Sequence, residues 1–323
     1  MKNVLFVFSC PLGDTIIGTG FLTAYHNQFP DEQIYYTNIW PGGLNTVIGN
    51  HSFIKIFDRT IHNNIQFSNV YEIFVVEYKK YNISMETSNN MHECIYEYFE
   101  KKYGIKIPYV DNIPNIIVDD KTIKKYDKPM CLINHCVAYA GFDTAFWGLN
   151  NFYQFVERFK NRCHFISIGA SGKNYDGNTI KRELPNVHEN LIDKTDLNQL
   201  KNLMYNADFV LTGETGINHI AHIEAYKPRH VFLLSGNRIS PNKINYKTPN
   251  VFDYKFYDEQ KTCKETQCHV RSILKNINGF SCDDWCKYPV LFNNELMSCC
   301  LSEVKLDTVI KKFDEVLKTY ESN

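Results

Sequence analysis

The sequence lacks any long apolar run, and it lacks an excess of charge of either sign. No stretch approaches the roughly 20 consecutive apolar residues that a membrane-spanning helix needs, so no transmembrane segment is expected. The 35 Lys and Arg residues are balanced by 36 Asp and Glu residues, so no basic face for nucleic acid is expected either. No repeat of solenoid period is present. What remains is a 323-residue chain, a length that suits two globular domains.

Cysteines are numerous, but their spacing is not that of a disulfide framework. Five of the 11 are scattered along the chain, at positions 10, 94, 131, 136 and 163. Unpaired thiols of this kind are typical of a reducing compartment, which predicts a cytoplasmic protein. The apolar residues after Lys2 meet Gly13-Asp14 too early for a cleavable signal peptide and predict a first strand instead.

A strand–turn–helix–strand pattern occupies residues 207–236. The apolar run Phe209–Leu211 predicts a buried strand, and Glu214–Gly216 predicts a tight turn into a helix that begins near Ile217. A second apolar run, Val231–Leu234, completes a βαβ unit and so predicts a parallel sheet. Backbone N–H groups at such a helix start can bind a phosphate. The alternative is that Glu214 and Thr215 only cap the helix.

The amino terminus shows a second unit of the same kind. Asn3–Phe8 predicts a buried strand, and the turn Pro11–Ile16 opens a helix that continues to Tyr25. Asp14 lies in that turn, where a carboxylate can act as a general base toward an alcohol. The alternative is an N-cap, a frequent role of aspartate.

Residues 207–221 resemble the donor-site segment of glycosyltransferase family 9, the ADP-heptose:lipopolysaccharide heptosyltransferases. That segment consists of alanine-aspartate, an apolar strand, aspartate-threonine-glycine, two further residues and histidine. Thr215, Gly216 and His219 match it, and Glu214 replaces the aspartate. Gly13 and Asp14 match the family's glycine-aspartate pair, whose aspartate is held to activate the acceptor hydroxyl.

The resemblance implies an α/β fold with two Rossmann-like domains whose parallel sheets face each other across a cleft, the GT-B architecture. Residues 1–125 would form the acceptor domain. Residues 126–323 would form the donor domain, with a last helix that packs back toward the first domain. The implied activity is inverting transfer of a heptose or related sugar from a nucleotide-diphosphate donor to a glycan or protein hydroxyl.

The site residues follow from the same resemblance. Asp14 is the predicted catalytic base, with Gly13 and His92 on the acceptor side. The predicted donor-binding residues are Asn134, His135, Thr144, Glu214, Thr215, Gly216, His219 and Gly236. The family's diphosphate-binding lysine is replaced by Ala145, so His135, Lys173 or Arg238 would have to substitute, or the donor differs, or activity is lost.

Six cysteines gather within residues 263–300. They are Cys263, Cys268, Cys282, Cys286, Cys299 and Cys300. Thiolates in a loop-rich segment can hold a structural zinc or iron, and a subset of the family, the autotransporter heptosyltransferases, binds iron through such cysteines. The spacings are not those of a paired C-x-x-C site. The alternative is a set of buried, small apolar side chains.

Transfer itself is expected to need no cofactor, because no aspartate-x-aspartate motif stands at a strand end to bind magnesium. Helix dipoles would then stabilise the departing diphosphate. Two other functions remain open: a GT-B transferase that uses another nucleotide sugar, and a non-catalytic protein that binds sugar nucleotides or glycans. An oligomer also remains open.

Overall fold

The computed structural model of the chain describes residues 2–40, 44–83, 90, 92–110, 113–135, 147–173, 179–180, 183–236, 245–257, 289–292 and 295–322. Within them lie two parallel sheets flanked by helices. The predicted α/β architecture is thus confirmed. No helix among these residues is both long and apolar enough to cross a bilayer.

The first sheet has four strands and is parallel throughout, in the order β3-β2-β1-β4. Its strands are β1 (Lys2–Ser9), β2 (Glu32–Asn38), β3 (Ile54–Ile56) and β4 (Asn69–Phe74). Helix α1 (Leu12–Gln28) connects β1 to β2, and helix α2 (Glu93–Tyr103) follows β4. Two 3-10 helices, Leu44–Ile48 and Val75–Tyr81, lie between these elements.

The second sheet has six parallel strands in the order β12-β11-β10-β5-β6-β9. Its strands are β5 (Met130–Asn134), β6 (His164–Ser167), β9 (Glu189–Asn190), β10 (Phe209–Gly213), β11 (Arg229–Ser235) and β12 (Val251–Tyr257). Its helices are α3 (Leu149–Phe159), α4 (Leu197–Asn206) and α5 (Gly216–Ile220). Counted from β5, this is the 3-2-1-4-5-6 order of a dinucleotide-binding sheet.

Shorter elements complete the described chain. Strands β7 (Gly172–Lys173) and β8 (Thr179–Ile180) pair antiparallel, as do β13 (Pro289–Phe292) and β14 (Glu295–Ser298). Helix α6 (Cys299–Ser302) precedes the last helix, α7 (Leu306–Glu321).

The last helix differs from its prediction. Its buried residues Val309, Phe313, Val316 and Leu317 join the core of the second domain, where the Phe313 ring lies 4.8 Å from that of Phe155 on α3. Arg162, which follows α3, forms ion pairs with Asp314 and Glu321 on α7. The helix therefore packs on its own domain, because its apolar face matches α3 and β10, and the prediction that it returns to the first domain is wrong.

A second apolar core joins the two sheets. It contains first-domain residues such as Phe6 and Phe21 together with Val210, Ile217 and Ile220 of the second domain. Helices α1 and α5 are in direct contact. The carboxyl ends of β1 and β10 are therefore held close to each other.

Candidate functional site

Each sheet has a point at which its strand order reverses. The chain leaves β1 for β2 on one side and later places β4 on the other; in the second sheet β6 and β10 flank β5 in the same way. Loops at the carboxyl ends of strands flanking such a reversal diverge and leave a crevice, which is where open α/β sheets bind ligands. Ser9 ends β1, Asn134 ends β5 and Gly213 ends β10.

Asp14 lies directly after the first of these points, in the first turn of α1. The residue at the N-cap is Pro11, so the alternative that Asp14 is itself the cap is wrong. The charge of Asp14 adds to burial in raising the pKa of Cys10, Tyr78 and Tyr246 above their usual values. Its carboxylate therefore lies close to buried groups of both domains, Tyr246 coming from the second.

Asn38 holds the turn that carries Asp14. This buried side chain ends β2, and its Nδ2 donates to the Cys10 carbonyl at 3.0 Å and to Thr15 Oγ1 at 2.7 Å. Thr15 Oγ1 in turn donates to the Pro11 carbonyl at 2.9 Å. Sequence analysis assigned no role to Asn38; the available signal was a polar residue shortly after the apolar run Ile34–Tyr36.

The side of the crevice formed by the second sheet is built around Asn134 and Thr215. Asn134 Oδ1 accepts hydrogen bonds from Thr212 Oγ1 at 3.3 Å and from Thr215 Oγ1 at 3.1 Å. Thr215 is also the N-cap of α5 and accepts from the Ile217 N–H at 3.2 Å. The predicted donor residues Asn134 and Thr215 are thus in contact, and Thr215 has a capping role as well.

Two glycines allow the domains to meet. A Cβ atom on Gly13 would lie 2.6 Å from His219 Cδ2, and one on Gly216 would lie 2.8 Å from Leu12 Cδ2. Real Cβ contacts are longer than this, so a side chain at either position would push α1 and α5 apart. The glycines of both predicted motifs therefore have a packing reason, which the sequence interpretation did not anticipate.

His219 and His92 come from opposite domains and contact the same residue, Tyr246. His219 Nδ1 is 2.6 Å from the Tyr246 hydroxyl, and the His92 ring meets the Tyr246 ring edge-on with centroids 4.7 Å apart. Burial lowers the pKa of both histidines to about 3, and nearby histidines add to the effect. Both rings are therefore neutral at pH 7. Tyr246 was missed, because it stands in a loop without a recognisable pattern.

Three more of the predicted donor residues lie at the same edge of the second sheet. His135 follows β5 and is buried, with its ring 5.9 Å from that of Phe152. Glu214 is half-buried between β10 and α5, and Gly236 directly follows β11. Thr144, Ala145 and Arg238 lie outside the described residues.

The cysteine segment lies largely outside the described residues as well. This applies to Cys263, Cys268, Cys282 and Cys286, and the side chain of Cys299 is not described either. Cys300 is buried and directly precedes Leu301 of the second-domain core. Within the described part of the chain, no group of three or more His, Cys, Asp or Glu side chains is arranged to hold a metal ion.

Asp208, the aspartate of the alanine-aspartate pair, has a structural role. One carboxylate oxygen accepts from the Met130 N–H at 2.8 Å, and the other pairs with Lys227 at 2.6 Å and accepts from the Tyr320 hydroxyl. It therefore ties the start of β5 to β10 and to the end of α7, at the edge of the sheet opposite the crevice.

Part of the chain matches a known protein family. Residues 86–226 match the family model described as "Glycosyltransferase family 9 (heptosyltransferase)", which confirms the resemblance seen in the sequence. That range includes His92, Asn134 and the α5 segment. A search of curated protein sequences returns no match.

Solved structures of similar fold cover nearly the whole chain. A glycosyl transferase family 9 protein from Veillonella parvula has a TM-score of 0.61 at 13% identity, covering 98% of this chain and 97% of that one. E. coli heptosyltransferase WaaC with ADP has a TM-score of 0.58 at 14% identity, covering 98% and 100%. The dodecameric, iron-containing heptosyltransferase TibC of E. coli, in complex with ADP-D-beta-D-heptose, has a TM-score of 0.57 at 14% identity, covering 98% and 77%. At these identities the likeness establishes the fold.

Proposed function

We propose that this chain, which matches the glycosyltransferase family 9 model over residues 86–226 and shares the fold of heptosyltransferases, is a glycosyltransferase. It would transfer a sugar from a nucleoside-diphosphate donor to a hydroxyl group with inversion at the anomeric carbon. One observation carries the proposal: the crevice residues of the two sheets meet. Asp14 after β1 and Thr215 after β10 stand at the starts of helices that contact each other. An acceptor on one domain and a donor on the other would be brought together there.

Asp14 would act as the base on the acceptor side. As the acceptor oxygen attacks the anomeric carbon, the carboxylate takes its proton and so raises its nucleophilicity. The Asn38–Thr15 hydrogen bonds fix the turn that carries Asp14, which keeps the carboxylate in place during the attack. A single displacement of this kind inverts the anomeric centre.

The donor diphosphate would lie over the edge formed by Asn134, Thr215 and His219. Thr215 supplies a hydroxyl, and His219 is close enough to Gly13 to reach across the crevice. Backbone N–H groups at the start of α5 would face the negative charge that develops on the leaving group. Glu214, which precedes them, is suited to accept hydrogen bonds from sugar hydroxyls.

The comparisons suggest which donor to test first. WaaC was solved with ADP and TibC with an ADP-heptose, so we propose an ADP-linked heptose or a related sugar as donor and a glycan or protein hydroxyl as acceptor. A non-catalytic, sugar-nucleotide-binding protein is the second candidate. Ala145, at the position of the family's lysine, favours it.

We also propose a structural metal in the segment 263–300. The six thiols within that segment form a donor set that suits zinc or iron. TibC, which shares its fold with this chain, contains iron. The metal would rigidify this loop-rich segment and takes no part in the proposed transfer.

The function is tested with Asp14→Asn, which removes the base and keeps the size of the side chain. We expect transfer to fall by about 100-fold or more, since general-base catalysis contributes on that order. Donor binding should be retained. Transfer is measured with a panel of ADP-, GDP-, UDP- and CDP-sugars, and binding by the shift in melting temperature that each donor causes.

Asp31→Asn is the matched control, because Asp31 is exposed in the turn between α1 and β2, at the edge of the first sheet opposite the crevice. It should leave transfer unchanged. Full activity of Asp14→Asn would show that Asp14 is not the base. A donor that stabilises the wild type without any transfer would support the non-catalytic candidate. If no donor in the panel shifted the melting temperature, the result would count against both the transferase and the non-catalytic binding protein.

A further inference from the structure

Tyr246 occupies the centre of a buried cluster that links the two domains. Its hydroxyl bonds to His219 Nδ1 at 2.6 Å, and its ring stacks on His222 with centroids 4.6 Å apart. On the side of the first domain it meets His92. All four residues are buried, so the arrangement is set by packing rather than by solvent.

His222 supports the Tyr246 ring from the second domain. Its Nδ1 lies 2.7 Å from the Asn218 carbonyl, and its Nε2 lies 2.6 Å from Asp253 Oδ1. Oxygen atoms of the second domain thus contact both nitrogens of the His222 ring, which fixes the plane of the ring. The Tyr246 ring is therefore held in one orientation.

The hydrogen bond between Tyr246 and His219 has one favoured direction. Burial, aided by the charges of Asp14 and Asp253, raises the pKa of Tyr246 well above its usual value, so the phenol keeps its proton. The only acceptor found for that proton among the described residues is Nδ1 of the neutral His219. Tyr246 therefore donates to Nδ1, and the ring proton of His219 must reside on Nε2.

The tautomer of His219 determines whether its Nε2 is a hydrogen-bond donor or an acceptor at the crevice. A Cβ atom on Gly13 would lie 2.7 Å from His219 Nε2, so this edge of the ring rests on the residue that precedes Asp14. An N–H group at Nε2 is a hydrogen-bond donor beside the candidate base. If the proton were on Nδ1 instead, Nε2 would be a hydrogen-bond acceptor beside Asp14. A carboxylate or a phosphate oxygen would then repel it.

We propose that Tyr246 is a positioning residue of the transfer site, which fixes His219 as the Nε2–H tautomer and so keeps a neutral hydrogen-bond donor at the Gly13-Asp14 turn. The catalytic part of this inference rests on the proposed function; the tautomer itself does not. Tyr246 acts through His219, and it joins the donor domain to the acceptor domain at the same point.

The first test measures the tautomer and needs no substrate. Long-range proton–nitrogen NMR of the full-length protein distinguishes an imidazole protonated on Nε2 from one protonated on Nδ1, and His219→Gln identifies the His219 signals. We expect the Nε2–H form in the wild type. Tyr246→Phe keeps the ring and removes the donor, so we expect a mixture of tautomers. A wild-type His219 with its proton on Nδ1 overturns the proposal, whether or not the variant folds.

The second test measures transfer. Tyr246→Phe should lower kcat about tenfold, the effect of losing one buried hydrogen bond, and should change the KM for the nucleotide sugar much less. Tyr254→Phe is the matched control, because the Tyr254 hydroxyl lies 3.2 Å from His230 Nδ1 between the adjacent strands β11 and β12. Equal decreases of kcat in Tyr246→Phe and Tyr254→Phe would overturn the positioning role of Tyr246. If the wild type transfers no sugar, the proposed function fails, and the tautomer result still decides the assignment of Tyr246.

Discussion

At the scale of single residues, small side chains control how closely the two halves of the molecule approach. Gly13 and Gly216 lie on the two helices that meet at the crevice, and each faces a side chain of the other helix or its neighbour. The same glycines belong to the motifs that the sequence assigned to acceptor and donor binding. The two glycines can serve both close packing and the site, because the site exists only where the helices meet.

We predict that Gly13→Ala destabilises the protein. The added methyl group would lie 2.6 Å from a His219 ring that Tyr246 holds in place, so we expect a loss of about 1–3 kcal/mol in the free energy of unfolding, measured by urea denaturation. Gly20→Ala on the same helix is the control: among the described residues, its methyl group would meet only the Ile113 carbonyl, at 3.5 Å. That variant should be neutral or stabilising by up to about 1 kcal/mol, since alanine favours helix. Equal effects of both substitutions would contradict this account of Gly13.

At the scale of elements, the segment that joins the domains is bound to α4. Lys201 of α4 is fully buried and donates to the Ile117 carbonyl at 3.0 Å and to Asp119 at 3.1 Å. Asn202 and Asn206 bind the backbone at Asp120 and Thr122. A buried ammonium is costly unless it is paired and hydrogen-bonded, and these contacts satisfy it. The charged segment between the two domains is thus partly fixed by α4.

The start of α4 is marked by a capping box that can be recognised in the sequence. Asp196 caps the helix by accepting from the Gln199 N–H, and the Gln199 side chain accepts in turn from the Asp196 N–H. This capping box is visible in the sequence as aspartate followed three residues later by glutamine. The direction in which α7 packs had no such signal, since its apolar stripe fits any apolar face of suitable shape.

The cysteine segment gives a prediction at this scale. Purified protein should contain about one equivalent of zinc or iron, and a chelator strong enough to remove it should lower the melting temperature, since structural metal binding contributes directly to folding. Elemental analysis checks the first statement and thermal denaturation the second. A metal content below about a tenth of an equivalent would contradict the structural site, since such sites bind tightly.

At the scale of the whole molecule, the contact between the domains depends on histidines that stay neutral. Burial lowers the pKa of His92 and His219 from 6.5 to about 3. In the unfolded chain both take up protons below about pH 6.5, and in the folded protein only near pH 3. Their contribution to stability is therefore fully present above pH 6.5 and is lost as the pH falls toward 3.

We predict that the free energy of unfolding falls between pH 7 and pH 5. Each of the two histidines accounts for about 2 kcal/mol at pH 5, from 1.36 kcal/mol per unit of pKa difference. Urea denaturation at several pH values measures the loss. The double variant His92→Gln/His219→Gln should show a smaller decrease over the same range. A decrease as large as that of the wild type would mean that the loss arises elsewhere.

The sequence by itself determined the strands, the turns and the candidate base. Runs such as Phe209–Leu211 and turns such as Gly13-Asp14 are local features, because apolar runs and turn residues act within a few positions along the chain. The parallel sheets and the family resemblance followed from them. Only the tertiary structure decided that α1 meets α5, that α7 stays on the second domain, and that Tyr246 joins His92 to His219. These contacts bring together segments far apart in the chain, and their energies depend on complementary shape and burial, for which no local pattern exists.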